Sequence, residues 1–279
     1  MKWALITGAS AGLGEEFAWQ LAAEPLNLVL VARREDRLED LAARLRSVAG
    51  VQVEVLAADL VTKAGQYAVV RRLQDKSRPV AVLVNNAGFG LGQSFVDGDW
   101  KREEAALEVM GGALARLCYE GARAMRSRVS RFEEGYSLFG VKLPWRQRVL
   151  RGGGVIINVS SATAYTAMGS YASIKTWVRF FSESLATELE GSGVWVTAVC
   201  PGLMHTEFHQ VAQMDAEAWP RIGFVSKEAV VRQSIEAARR HQVLVTPTWR
   251  YRFLMGLARL APRWVMRRFF GAAMFSRAI

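Results

Sequence analysis

The sequence predicts an α/β fold: one doubly wound parallel sheet of about seven strands with helices on both faces, followed by a basic C-terminal helical extension. Three observations predict it. Short β-type runs alternate with longer helical patterns, chemistry-bearing residues recur directly after those runs, and no linker-like stretch divides the 279 residues into two domains. The strand-like runs are Ala4 to Thr7, Leu28 to Val31, Val51 to Leu56, Val80 to Val84, Val155 to Val159, Val194 to Val199 and Val243 to Thr246. Helical patterns cover Leu13 to Ala23, Arg37 to Val48, Trp100 to Ser127, Tyr171 to Glu190 and Lys227 to Arg240. This divides the chain into one sheet domain over 1–246, interrupted by an arginine-rich insertion near 126–151, and an extension over 247–279.

In an open parallel sheet, ligands sit beyond the carboxyl ends of the strands. Thr7-Gly8-Ala-Ser10-Ala-Gly12-Leu13-Gly14 follows the first run as a glycine turn opening into a helix, a Rossmann-like arrangement whose backbone N–H groups and helix dipole hold a pyrophosphate. The second run ends Ala32-Arg33-Arg34, where a carboxylate would bind the ribose hydroxyls of NAD. Guanidinium groups suit a 2′-phosphate instead, so NADP(H) is expected, with Arg33 the principal reader and Arg34 either secondary or paired with Glu35 or Glu39. Asp59, Asn85 to Gly88, Ser160-Ser161 and Pro201-Gly202 close the third to sixth runs and fall on the same edge.

Tyr171 and Lys175 are four residues apart and share one helix face. A phenol of pKa ~10 is a poor proton shuttle, and an ammonium close by is expected to lower it by roughly 1 to 3 units, toward useful acid catalysis.

These motifs, in this order from Trp3 to Thr246, resemble the short-chain dehydrogenase/reductase family. The resemblance implies that Asp59, with Leu60, approaches the adenine, and that Asn86, Ala87 and Gly88 line the adenosine side. Lys175 would hold the nicotinamide ribose, with Thr206 at the carboxamide beyond Pro201 and Gly202. Tyr171 would protonate the alkoxide that forms when hydride reaches a carbonyl, and Ser161 would donate a hydrogen bond to that oxygen. It also implies dimers or tetramers. Two departures stand out. The family commonly spaces its serine thirteen residues before the tyrosine, whereas Ser161 lies ten before Tyr171, which a shortened loop explains; Ser160 or Asn158 is the alternative donor. Met110 stands where the family commonly has an asparagine that relays protons, and no asparagine lies between Phe89 and Ile157 to replace it. A thioether donates no hydrogen bond. That loss keeps a second function open, a low-turnover NADP(H)-binding scaffold or redox sensor.

Composition narrows the partners. A 51% hydrophobic, 22% charged chain is globular, not disordered. Cys118 and Cys200 lack metal-ligand spacing and read as small core residues. His205 and His209 are four apart without a third ligand, so no metal is expected. Only two residues precede Trp3, and no uncharged apolar run reaches the ~18 residues of a bilayer span, so a cytoplasmic location is expected. The net charge of +10 is uneven: from Thr246 to Ile279 there are seven arginines and no acidic residue, interleaved with aromatic and aliphatic side chains. This suits peripheral contact with an anionic inner membrane surface, or arginine stems lying on a neighbouring apolar face. No nucleic-acid recognition motif accompanies the charge. The apolar stretch after Gly202, with Leu203, Met204, Phe208, Val211, Met214 and Trp219, is expected to cover the substrate, pointing to a hydrophobic carbonyl compound such as a long-chain 3-oxoacyl derivative.

Overall fold

The computed structural model of the chain describes residues 2–24, 26–129, 153–204 and 224–270. Seven strands form one parallel sheet in the order β3-β2-β1-β4-β5-β6-β7: β1 Lys2–Thr7, β2 Leu26–Ala32, β3 Val53–Ala57, β4 Val80–Asn85, β5 Gly154–Val159, β6 Val194–Val199 and β7 Leu244–Val245. Strands β1, β2, β4 and β5 are buried almost throughout because helices cover both faces, which is why they read as unbroken apolar runs. The order reverses between β1 and β4, which pair directly, so the loops leaving these strands diverge to opposite faces and open a crevice.

Helices α1 Gly12–Ala22 and α2 Glu35–Ala49 match the predicted pattern, and α2 stops where Gly50 turns left-handed at φ 66°. A helix absent from the sequence reading, α3 Lys63–Leu73, is capped by Thr62, whose hydroxyl accepts from Gly65 N. Its periodicity is masked by buried polar groups: Arg72 lies inside, bonded to Glu54 at 2.8 Å and stacked on Trp3.

The single helix expected over Trp100 to Ser127 is instead three segments: α4 Trp100–Leu107, a wide π turn at Glu108–Ala113, and α5 Leu114–Arg126. Gly111 and Gly112 make the wide turn accessible, and Met110 sits inside it. A 3₁₀ turn at Ala162–Tyr165 leads to α6 Gly169–Glu188; α7 Lys227–Arg239, α8 Trp249–Leu260 and α9 Arg263–Phe270 complete the chain's described course. Among the described residues no helix is long and apolar enough to cross a membrane. Most of the expected 126–151 insertion, together with His205, Thr206, His209 and the lid residues Phe208, Val211, Met214 and Trp219, lies outside the described residues.

Candidate active site

The carboxyl ends of β1, β2, β4, β5 and β6 surround a cavity of about 550 Å³. Its cofactor-side wall contains Gly8, Ser10, Gly12, Leu13, Arg33, Arg34, Asp59, Leu60 and Asn86 to Gly88, and its far wall Ser160, Ser161, Tyr171, Lys175, Pro201 and Gly202. Gly14, also expected to contact the cofactor, instead acts from behind: a Cβ there would lie 2.1 Å from the Gly8 carbonyl oxygen, so only glycine lets α1 begin this close to the turn. The turn is fastened to β4 by side chains. Asn86 Nδ2 donates to Thr7 O at 3.0 Å and Gly8 O at 3.2 Å, while Thr7 Oγ1 accepts from the backbone N–H groups of Asn86 and Ala87 at 3.0 Å.

The residues fit a dinucleotide. Ala11, the residue before α1, supplies no side-chain cap, so the first backbone N–H groups of the helix are left for an anion. Arg34 donates to Ser10 Oγ at 3.1 Å and is held across the glycine turn. Arg33 is exposed at the cavity rim with no hydrogen bond or ion pair among the described residues, so its guanidinium is available to a ligand. Asp59 lines the cavity and its carboxylate accepts from Val61 N at 3.0 Å.

At the other end, Ser161 and Tyr171 line the cavity together, the serine hydroxyl acting to lower the phenol pKa, and Ser161 Oγ accepts from Thr163 N at 3.1 Å. The two alternative donors are committed elsewhere. Ser160 Oγ donates to Lys175 O at 2.7 Å, and Asn158 is buried in a network with Asn85, Cys118 and Ser182, away from the cavity. The shortened loop therefore keeps Ser161 beside the phenol.

The expected effect of Lys175 on Tyr171 is not what the structure shows. Burial pushes the Tyr171 phenol above its ordinary range, and the neighbouring Ser161 hydroxyl only partly offsets this. Lys175 Nζ lies 5.7 Å from the phenol ring centroid and donates to Val159 O at 2.9 Å, so the ammonium is turned to the end of β5. Burial also brings Lys175 down from 10.5 to about 8. In an apolar enclosure desolvation of each group outweighs their mutual attraction. Met110 contributes to that enclosure: it is fully buried, and a Cβ on Gly88 would lie 2.9 Å from its sulfur and 3.7 Å from Lys175 Nζ.

The sequence reading missed the part α8 plays here. Tyr251, Leu254 and Met255 line the cavity, and the Tyr251 hydroxyl accepts from Leu203 N at 3.0 Å. Its ring packs against Gly202, where a Cβ would come within 2.2 Å of it. Met255 packs with Ala162, Tyr165 and Cys200, and Tyr165 is flanked by the guanidiniums of Arg179 and Arg259 at 4.6 and 5.0 Å from its centroid. The extension thus begins as a wall of the site. Its signal in the sequence was Tyr251 and Met255 at four-residue spacing, which marks a helix face without saying what the face meets.

Comparison with known proteins agrees with this geometry. The short chain dehydrogenase family model matches residues 2–131 and 140–217. A short-chain dehydrogenase of Sphingobium yanoikuyae, solved in complex with NADPH, superposes with a TM-score of 0.75 at 32% identity over 93% of this chain and 94% of that one. The bulky-bulky ketone specific alcohol dehydrogenase of Comamonas testosteroni gives 0.72 at 26% identity over 93% and 92%. The very-long-chain 3-oxoacyl-CoA reductase of Pyrenophora tritici-repentis is 29% identical across 77% of this chain, a match spanning 58% of that protein. With the glycine turn, the Tyr171–Lys175 pair and the sheet order all in place, the chain belongs to the short-chain dehydrogenase family of oxidoreductases.

Proposed function

We propose that the protein is an NADPH-dependent reductase of hydrophobic ketones. The observation that carries this reading is that Ser161, Tyr171 and Lys175 line one cavity together with the glycine turn. Bound NADPH supplies the hydride. The N-terminus of α1 and the Gly8–Gly14 turn hold its pyrophosphate, and Arg33 with Arg34 read the 2′-phosphate. Lys175 holds the ribose and Thr206 the carboxamide, as the family resemblance implies. Ser161 orients the substrate carbonyl, and Tyr171 donates its proton to the oxygen as negative charge develops there. Burial keeps the phenol protonated, the form that can give a proton to the developing alkoxide, and at the same time makes it a weaker acid than a free phenol.

Substrate class follows from the walls. Leu91, Val109, Met168, Met204, Leu254 and Met255 offer apolar surface and few groups that could satisfy a polyhydroxylated substrate. The bulky-ketone and 3-oxoacyl-CoA substrates in the names of the relatives support the same class. The test is NADPH oxidation across ketones of graded chain length with Tyr171→Phe alongside. Turnover should rise with chain length and vanish in the variant, which keeps its NADPH affinity; turnover surviving Tyr171→Phe refutes the assignment.

One observation favours a second reading, a scaffold or sensor that binds NADP(H) with little turnover. Met110 presents a buried thioether beside Lys175 where a proton relay would need a donor. Both cysteines are buried, so such a sensor would respond to the nucleotide itself and not through a thiol. Tight NADPH binding without turnover of any ketone would favour it.

A further inference from the structure

Helix α8 has two apolar faces. Tyr251 and Met255 face the cavity. On the opposite side Trp249, Phe253 and Leu257 recur at four-residue spacing, 72%, 66% and 51% exposed, and Leu260 at 84% completes the stripe. Leu254 joins the two faces: it lines the cavity and is still 44% exposed, so the stripe runs into the cavity mouth. Trp264 on α9, 61% exposed, extends the apolar surface. A helix of a soluble domain ordinarily buries such a stripe, and a contiguous patch of this kind marks a contact surface.

The surrounding charge selects the partner. From Thr246 onward the sequence has seven arginines and no aspartate or glutamate. A second copy docking face to face would bring these like charges together, and a nucleic acid would use the arginines while leaving the indoles and leucines in water. An anionic bilayer satisfies both, with guanidiniums at the headgroups and Trp, Phe and Leu in the acyl boundary.

We propose that α8 and α9 seat the protein on an anionic membrane with the cavity mouth at Leu254 turned to the acyl region, so that a lipid-dissolved carbonyl compound enters without crossing water. The entry route rests on the reductase reading; the seating does not. The test is co-sedimentation with vesicles of equal parts phosphatidylcholine and phosphatidylglycerol, and with pure phosphatidylcholine. Two triple variants are compared, Trp249→Ser/Phe253→Ser/Leu257→Ser and Arg252→Ala/Arg267→Ala/Arg268→Ala. None of the six residues lines the cavity, and unchanged NADPH binding confirms that each variant folds.

Wild type should sediment with the anionic vesicles, and the partition coefficient should fall about 100-fold in the arginine variant, at about fivefold per charge, and about 1,000-fold in the serine variant, at about tenfold for each apolar side chain lost. Relative to a short water-soluble ketone, the serine variant should reduce a long-chain ketone carried in the vesicles about tenfold more slowly than wild type. Equal sedimentation of all three proteins, no vesicle binding by wild type, or a wild-type dimer abolished by the serine substitutions would overturn the seating. Vesicle binding by a protein that turns over no ketone would overturn the reductase reading and leave the seating standing.

Discussion

Replacing Lys175 by methionine should make the cofactor-free protein more stable at neutral pH and inactive. The side chain is 4% exposed, and burial shifts its ammonium from 10.5 to about 8. At about 1.4 kcal/mol per unit, keeping the charge inside costs about 3 kcal/mol. Methionine matches the length of the stem and carries no charge, but it gives up the hydrogen bond to Val159 O, a loss of about 1 kcal/mol. The net gain at pH 7 is about 2 kcal/mol, or roughly 5 °C in Tm for a chain of this size.

The pH dependence identifies the cause. Between about 8 and 10.5 the unfolded chain still protonates this lysine while the folded chain does not, so wild-type stability gains from its deprotonation as pH rises through that window. Below pH 8 both states carry the proton and the full penalty applies; above 10.5 neither does. The Met variant lacks the term, so its advantage should be constant below pH 8, shrink above it, and vanish or reverse by 10.5. Chemical denaturation of both proteins without nucleotide, across pH 6.5 to 11, measures the difference and cancels the titration of every other group. A wild type more stable than the variant at pH 7, or a gap unchanged across the range, would refute the reasoning. Loss of at least about 10²-fold in ketone reduction should accompany the gain in stability.

Two further substitutions probe the ends of the cavity. Arg33→Ala should weaken NADPH by about tenfold or more and leave NADH within about twofold, as read by fluorescence titration, because its guanidinium is the exposed group at the rim available to a 2′-phosphate; equal losses for both nucleotides would refute that role. Tyr251→Phe removes the acceptor for Leu203 N and keeps the ring on Gly202, so the 201–204 segment loosens at a cost of about 1 kcal/mol. KM should rise about fivefold for bulky ketones and less for small ones, and an equal change for both would show that Tyr251 does not shape the substrate end.

The sheet and the cofactor edge were legible because their signals are local. A strand buried on both faces must be apolar throughout, as Leu28 to Val31 is, and a glycine turn must be glycine wherever a Cβ would strike backbone, as at Gly14. Helix α3 was hidden because Arg72 and Gln66 are buried through bonds to distant partners, Glu54 in one case and Leu60 O with Glu108 in the other, which no periodicity records. The π turn at Glu108–Ala113 was hidden because it lies between two α-helical segments within one continuous helical pattern. The inner face of α8 could not be assigned from spacing alone, since a helix pattern does not say which side is covered.

The error over Tyr171 has the same origin and carries the larger consequence. Spacing of four places two side chains on one face, but the sign of a pKa shift depends on what else surrounds them. Here both residues are buried, Tyr171 against the apolar cluster that contains Met110, and burial drives both toward their neutral forms. A neutral phenol is the right form for giving a proton to a ketone oxygen, whereas alcohol oxidation needs the phenolate that this environment opposes. On the reductase reading, a hydrophobic ketone that expels water from the cavity would strengthen every charge interaction left inside.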